Sequence, residues 1–256
     1  MEKKRARRIL EVKELVRNYY TVNSEGEKIA CQVLKGLSFT VGTGEFIGIM
    51  GSSGCGKTTL LKTLGMIDKP DGGEVRYKGE PTTRFYGDKL AKVRREELAF
   101  IFQDFYLMDS LTVEENIMLP LTLNEEDANK SRQTARTIAA QFGIRKLLDK
   151  KPYELSGGEK QRTAICRAMA ADPELILADE PTGNLDSNSS RVVIKSLAHI
   201  NKEMKKTILL VTHDPKVASY CKKIILLKDG QIMDVLKKDG EQKEFYQRIL
   251  RNMGRI

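Results

Sequence analysis

Nine consecutive residues have the types and spacing of a loop that binds phosphate. They are Gly51, Ser52, Ser53, Gly54, Cys55, Gly56, Lys57, Thr58 and Thr59, and the first eight match the pattern G-x-x-x-x-G-K-[ST]. Glycines let backbone N–H groups turn toward phosphate oxygens, a lysine in this position reaches the β and γ oxygens, and a hydroxyl can bind Mg²⁺. Because an apolar stretch precedes the loop and helix-compatible residues follow it, we predict a P-loop that binds ATP with Mg²⁺.

A second chemical motif is an apolar run that ends in two carboxylates. Leu175 to Ala178 is followed by Asp179 and Glu180. This arrangement predicts a Walker B strand, in which Asp179 holds Mg²⁺ and Glu180 is the general base, or positions the water that attacks the γ-phosphate. The alternative is that the acids, followed by Pro181, only end a strand and open a turn.

The segment from Leu155 to Arg162 resembles the signature motif of ABC-type ATPases. Ser156 can cap the helix that follows, and the paired Gly157 and Gly158 leave backbone N–H groups open to an anion. A plain helix N-cap after a turn is the alternative, but it leaves the paired glycines unexplained. The resemblance implies that Ser156, Gly157, Gly158 and Glu159 complete the ATP site of another subunit. It therefore implies a head-to-tail homodimer that encloses two nucleotides.

Other residues match this family one by one. Tyr19 resembles the aromatic residue that stacks on adenine, although neighbouring Tyr20, or a purely structural tyrosine, is an alternative. Gln103 matches the glutamine that contacts Mg²⁺ and the attacking water. The segment from Gly183 to Asp186 resembles the dimer-contacting D-loop, and His213 matches the histidine that contacts the γ-phosphate. The resemblance thus implies catalytic roles for Glu180, His213 and Gln103, and metal binding by Thr58, Gln103 and Asp179.

Hydrophobic patterning predicts the elements that must position these residues. Glu45 to Met50, Leu175 to Ala178, Thr207 to Val211 and Ile224 to Leu227 are typical of buried strands, and the stretch from Leu10 to Val16 is typical of an edge strand. We expect helices from Lys57, around Ala135 to Phe142, and along two apolar stripes: Val193, Leu197, Ile200 and Met204, then Phe245, Ile249 and Met253. His199 is expected to be only a helix residue.

The expected fold is the α/β P-loop NTPase fold of ABC ATPases, with a mostly parallel central sheet, an antiparallel β edge and a helical subdomain. We predict a nucleotide-binding domain over residues 9–235, with a helical lobe inserted at about 104–165, and a C-terminal helical tail over 236–256. A chain of 256 residues has room for one such module rather than two.

Composition limits the remaining classes of function. The net charge is +9, and the N-terminus is basic at Lys3, Lys4 and Arg5. Because the sequence contains no motif that reads nucleic acids, no nucleic-acid partner is expected. The four cysteines are widely spaced, which favours reduced thiols over zinc or disulfides. Since neither a signal peptide nor a membrane-spanning run is found, we expect a cytoplasmic protein, peripheral on the inner face of the cell membrane.

Within the family, Glu180 to Asp186 is similar to the branch that includes macrolide exporters and lipoprotein-release systems. The segments from Phe102 to Asp109 and from Val211 to Pro215 resemble Bce-type bacitracin and lantibiotic resistance subunits, from which Leu155 and Glu159 depart. The resemblance implies a separate integral-membrane permease and a sensor histidine kinase as further partner. Alternatives are an ATPase that transmits force or signal to a membrane protein without transport, and a soluble ATPase acting on DNA or ribosomes.

Overall fold

The computed structural model describes residues 7–22, 24 and 26–254. The ten strands over these residues are β1 (Arg8–Val22), β2 (Lys28–Gly42), β3 (Phe46–Gly51), β4 (Gly72–Tyr77), β5 (Glu80–Pro81), β6 (Leu98–Ile101), β7 (Leu175–Asp179), β8 (Thr207–Val211), β9 (Lys223–Lys228) and β10 (Gln231–Lys237). The basic residues Lys3, Lys4 and Arg5 lie outside the described residues.

The described residues also form eight α-helices. They are α1 (Lys57–Leu64), α2 (Gly87–Glu96), α3 (Val113–Leu123), α4 (Ala128–Gln141), α5 (Gly157–Ala170), α6 (Ser187–Lys202), α7 (Pro215–Ala218) and α8 (Gln242–Met253). No helix in the described part of the chain is both long and apolar enough to cross a membrane.

The chain forms two compact units. The first contains the residues up to Tyr86 and those from Leu209 onward, and the second runs from Gly87 to Ile208. The predicted helical lobe at about 104–165 falls within the second unit. The lobe contains α3, α4 and most of α5. The predicted domain boundaries remain a proposal.

The first unit contains an antiparallel sheet with strand order β2-β1-β4-β5. The prediction of an edge strand at Leu10 to Val16 was wrong, because β1 pairs on one side with β2 and on the other with β4. Leu10, Val12 and Leu15 are buried, whereas Lys13 and Glu14 face solvent at an irregularity in the pairing. The charged residues of β1 therefore mark the side of the strand that faces solvent, and they do not show that the strand lies at the edge of the sheet.

The same unit contains the strand order β10-β9-β3-β8, in which β3 and β9 are parallel and β10 is antiparallel to β9. The residues of β3 are buried throughout, as the continuous apolar run predicted. Helix α8 buries Phe245 and Ile249. Strand β3 runs directly into the predicted phosphate loop, which begins at its last residue, Gly51.

In the second unit β6 pairs with β7, and the two strands are parallel. Helix α4 ends at Gln141, close to the predicted stop at Gly143, which has a φ of 70°. Helix α6 buries Val193, Leu197 and Ile200 and includes His199, as predicted. It ends at Lys202, so Met204 is not part of the helical stripe.

Candidate functional site

The phosphate loop lies between β3 and α1, as the spacing predicted. Gly56 precedes α1 with a φ of 101°, and a Cβ atom there would lie 2.9 Å from Leu34 Cδ2, so the position requires glycine. Among the described residues, no side chain caps the N-terminus of α1. The dipole of α1 favours an anion at this end of the helix.

Lys57 is the basic group of this loop and is only 7% exposed. Its Nζ donates hydrogen bonds to the carbonyl oxygens of Gly51, at 3.0 Å, and Ser52, at 2.9 Å. A buried ammonium group needs such partners to offset its loss of water. These bonds hold the charge of Lys57 inside the loop, while Ser52, Ser53 and Gly54 are exposed.

Cys55 is buried in the loop, and burial raises the pKa of its thiol even though nearby Lys57 opposes the shift. A thiol with a raised pKa stays protonated at neutral pH and is a poor nucleophile. Cys55 is thus a packing residue of the loop. The exposed Thr58 and half-buried Thr59 begin α1 beyond it.

Two further predicted residues belong to the same unit as the loop. His213 is exposed and directly follows Thr212, whose backbone N–H donates to Ile49 of β3 at 3.1 Å. This bond places the turn that carries His213 beside the strand that leads into the phosphate loop. Tyr19 lies on β1 opposite Cys31 of β2, and its hydroxyl donates to Asp68 at 2.8 Å.

The two predicted Walker B carboxylates lie at the end of β7 in the second unit. Asp179 is the last residue of the strand, and both it and Glu180 are half-buried. Glu180 has a φ of 44°, which is uncommon for a residue with a side chain, and its carbonyl accepts a hydrogen bond from Gly183 N at 2.9 Å. Such strained positions concentrate at functional sites, where the surrounding structure fixes them.

The predicted glutamine Gln103 is joined to the predicted D-loop. Its side-chain amide donates to Asn184 Oδ1 at 2.8 Å, and Asn184 Nδ2 donates to Asp104 Oδ1 at 2.9 Å. Glycine at position 183 allows this approach, since a Cβ atom there would lie 2.8 Å from Gln103 Cδ. Two segments predicted separately therefore form one hydrogen-bonded group.

The signature segment has the helix-capping geometry that the sequence predicted. The Ser156 hydroxyl accepts from Glu159 N at 3.4 Å, and the Glu159 carboxylate accepts from Ser156 N at 2.8 Å. The Ser156 hydroxyl also donates to the Glu159 carboxylate, at 2.8 Å, and the two bonds donated by Ser156 lower the pKa of Glu159. The negative charge of Glu159 lies in the first turn of α5, where the helix dipole stabilises it.

Packing gives one of the paired glycines a role within the chain. A Cβ atom on Gly158 would lie 2.7 Å from the hydroxyl of Ser189, near the start of α6. Gly158 therefore allows the first turn of α5 to contact α6. Asp186, which caps α6 through Asn188 N and Ser189 N, belongs to the predicted D-loop.

Half-buried Arg167 and buried Asn116 brace residues 105–112, and sequence reasoning missed their role. Arg167 of α5 donates to the carbonyl oxygens of Phe105 and Tyr106, two consecutive non-glycine residues with positive φ. Fully buried Asn116 bonds to the backbone of Met108 at both N and O. An arginine within a helical segment and an asparagine directly before an apolar run were the only signals in the sequence.

The residues predicted to bind Mg²⁺ offer hydroxyl, amide and carboxylate oxygen atoms. Thr58 belongs to the first unit, and Gln103 and Asp179 to the second. Among the described residues, no group of three or more His, Cys, Asp or Glu side chains could hold a metal ion. A set with a single carboxylate suits Mg²⁺, which is usually bound by one or two carboxylates together with substrate phosphates and water.

Comparison with protein families matches the ABC transporter model to residues 34–183. The chain is 46% identical to the ABC transporter ATP-binding protein YxdL of Bacillus subtilis, over 94% of this chain and 92% of that protein. It is 42% identical to the bacitracin export ATP-binding protein BceA of Halalkalibacterium halodurans, over 96% of each. A macrolide export ATP-binding/permease protein matches at 41% identity over 34% of its length, and a lipoprotein-releasing system ATP-binding protein matches at 40% identity over 98% of its length.

Among solved structures, the chain is similar to the ATP-binding cassette MJ0796, in a dimeric post-hydrolysis state bound to ADP and Pi. The TM-score is 0.81 at 37% sequence identity, and the match covers 91% of this chain and all of that one. These findings confirm the predicted P-loop fold and the predicted branch.

Proposed function

The chain belongs to the ABC transporter ATP-binding family, and we propose that two copies bind two Mg-ATP molecules between them and drive a separate membrane permease. One observation carries the proposal: the chain contains both a phosphate loop before α1 and a second glycine-rich helix start at α5. Each can receive phosphate oxygens. In a head-to-tail pair, the α5 start of each copy would complete the site of the other, and the dimeric MJ0796 structure supports such an assembly.

The residues then divide into binding and catalytic roles. Lys57 and the backbone of Gly51 to Thr58 hold the phosphates, and Tyr19 stacks on adenine. Thr58, Gln103 and Asp179 hold Mg²⁺, which neutralises phosphate charge when bound. Glu180 accepts the proton of the attacking water or orients that water, Gln103 helps to position it, and His213 contacts the γ-phosphate. Ser156, Gly157, Gly158 and Glu159 act on the nucleotide of the partner copy.

ATP binding and hydrolysis would move the permease through the helical lobe, which we place at about 104–165. The lobe offers the segment from Phe105 to Ile117 for docking, in which Tyr106 and Met108 are exposed apolar side chains. Arg167 and Asn116 hold that segment in one conformation, so a shift of α5 would reach it directly. The protein would lie on the inner face of the cell membrane through this contact.

The cargo that we propose is an antimicrobial peptide of the bacitracin or lantibiotic class. The support is the 42% identity with a bacitracin export protein over nearly the whole of both chains. A sensor histidine kinase is a further proposed partner. The competing function is transmission of force or signal to a membrane protein without transport, since it would use the same ATPase residues.

Purification of a tagged Glu180→Gln protein from native membranes, in mild detergent with Mg-ATP, tests this proposal. We expect a multispan permease to co-purify, and mass spectrometry would identify it and any sensor kinase. Deletion of the permease gene should then increase sensitivity to bacitracin or a lantibiotic. Co-purification of ribosomal or DNA-bound proteins without a permease would contradict the transport function.

A further inference from the structure

The ring of Tyr19 is held from two directions by side chains of its own unit. The guanidinium carbon of Arg17 lies over the ring, 5.0 Å from its centroid, and the tyrosine hydroxyl donates to Asp68 Oδ2 at 2.8 Å. The ring is nevertheless 38% exposed. One ring face is therefore covered by a cation, while the remaining surface is open and held in a fixed orientation.

Arg17 is itself anchored. Its guanidinium donates to Asp71 Oδ2 at 2.8 Å, and the same oxygen accepts from Asn18 N at 2.7 Å. The backbone bond from Asn18 and the bond from Arg17 lower the pKa of Asp71, and Asp71 in turn raises the pKa of Arg17. Both groups are thus charged at neutral pH, and the guanidinium remains fixed over the ring.

The hairpin formed by β1 and β2 connects this ring to the phosphate loop. Tyr19 pairs with Cys31 of β2, and Val33, two residues farther along the same strand, contacts the position of Gly56. An aromatic platform on a hairpin that also contacts the phosphate loop suits a ligand with a flat base at one end and phosphates at the other.

The neighbouring Tyr20 is not held by contacts of the kind that fix Tyr19, as far as the described residues show. It follows Tyr19 on the strand, so its side chain points to the opposite face, and it is 60% exposed. Neither a cation–π contact nor an aromatic ring contact of Tyr20 is found in the described part of the chain. The geometry thus distinguishes between two neighbouring tyrosines that the sequence pattern left as alternatives.

We infer that Arg17 and Asp68 are positioning residues that fix Tyr19 as the adenine-binding platform. This inference rests on the proposed stacking role of Tyr19. A side chain that is already ordered loses less conformational entropy when a ligand binds, so the two contacts increase the affinity for the base. They do not touch the phosphates, and the affinity for a ligand without a base should not depend on them.

Calorimetric titration of the full-length protein with ADP, and separately with pyrophosphate, tests this inference. Tyr19→Leu should weaken ADP binding about tenfold or more by loss of stacking, while Tyr20→Leu should not. Asp68→Ala and Arg17→Met should each weaken ADP binding about threefold to tenfold and leave pyrophosphate binding unchanged. Asp68→Asn, which keeps a hydrogen-bond acceptor, should restore most of the affinity for ADP.

A double-mutant cycle distinguishes positioning from a general effect on the hairpin. In a Tyr19→Phe background the hydroxyl is absent, so Asp68→Ala should cause no further loss of ADP affinity. If Asp68→Ala or Arg17→Met weakens the binding of ADP and of pyrophosphate equally, the inference is overturned. It is also overturned if both variants bind ADP as tightly as the parent protein while Tyr19→Leu binds it more weakly. If Tyr20→Leu rather than Tyr19→Leu weakens ADP binding, the stacking role proposed for Tyr19 is wrong as well.

Discussion

The side-chain amide of Gln103 lies 2.8 Å from Asn184 Oδ1, although the two residues are 81 positions apart in the chain. Gln103 follows β6, and Asn184 lies in the turn between β7 and α6. The same turn contains Gly183, whose N–H donates to the carbonyl of Glu180. The proposed catalytic base, Glu180, therefore lies in the same turn that Gln103 contacts through Asn184.

Replacement of Asn184 by alanine should slow catalysis more than it weakens nucleotide binding. The change removes the acceptor that orients Gln103, and a hydrogen bond is worth about 1 kcal/mol, so we expect turnover to fall about fivefold. Steady-state ATPase assays should show a small change in KM. Asn188→Ala, at an exposed asparagine of α6 that bonds through its backbone N–H, is the matched control. A loss of turnover equal to that of the control would exclude this positioning role.

Replacement of Arg167 by methionine should destabilise the fold around residues 105–112. The guanidinium bonds to two carbonyl oxygens of residues with positive φ, and the loss of these bonds should cost about 2–3 kcal/mol of unfolding free energy. Urea denaturation measures this change. Digestion with chymotrypsin should also become faster at Phe105 and Tyr106.

Arg145→Met is the control for Arg167→Met, because Arg145 is an exposed arginine of the same unit. Its unfolding free energy should stay within about 0.5 kcal/mol of that of the parent protein. Equal stability of the two variants would show that the contacts of Arg167 do not brace the segment.

The positions of the central strands and the phosphate loop could be predicted from the sequence because their signals are local. A continuous apolar run predicts a buried strand, and the glycine pattern from Gly51 to Gly56 predicts the loop that follows it. The capping of α5 by Ser156 is local for the same reason, since donor and acceptor are three residues apart.

Contacts between distant segments could not be predicted in this way. The bonds from Arg167 to residues 105 and 106 join positions about 60 apart, and nothing in the local pattern specifies such a partner. The position of β1 within its sheet was mispredicted for a related reason, because pairing with β4 depends on residues 72–77. Met204 was assigned to α6 from periodicity alone, which does not show where a helix ends.

Stability should fall in acid partly through Glu159. The backbone N–H and hydroxyl of Ser156 hold the pKa of this carboxyl below its ordinary value of 4.5 in the folded protein. A carboxyl with a lowered folded pKa contributes stability above its unfolded pKa and loses that contribution as pH falls through the folded pKa. We therefore expect the unfolding free energy to decrease from about pH 5 downward.

The variant Glu159→Gln isolates this contribution, because glutamine keeps the capping geometry but does not titrate. Its unfolding free energy should depend less steeply on pH below about pH 5 than that of the parent protein. Glu115→Gln should act likewise at the start of α3, where Thr112 lowers the pKa of Glu115. Chemical denaturation at a series of pH values measures both slopes, and parental slopes in both variants would contradict the assignment.

We propose that this chain hydrolyses ATP as a dimer and that Glu180 serves as general base or positions the attacking water. ATPase assays of Glu180→Gln, combined with light scattering of the same sample in Mg-ATP, test both parts of this proposal. Loss of a general base lowers turnover by about a hundredfold or more, so ATP should stay bound to the variant. Light scattering should then show a stable dimer of Glu180→Gln, whereas the parent protein should dimerise only transiently. Undiminished hydrolysis by Glu180→Gln would contradict the catalytic role of Glu180, and a variant that loses activity but remains monomeric in Mg-ATP would contradict the dimeric mechanism.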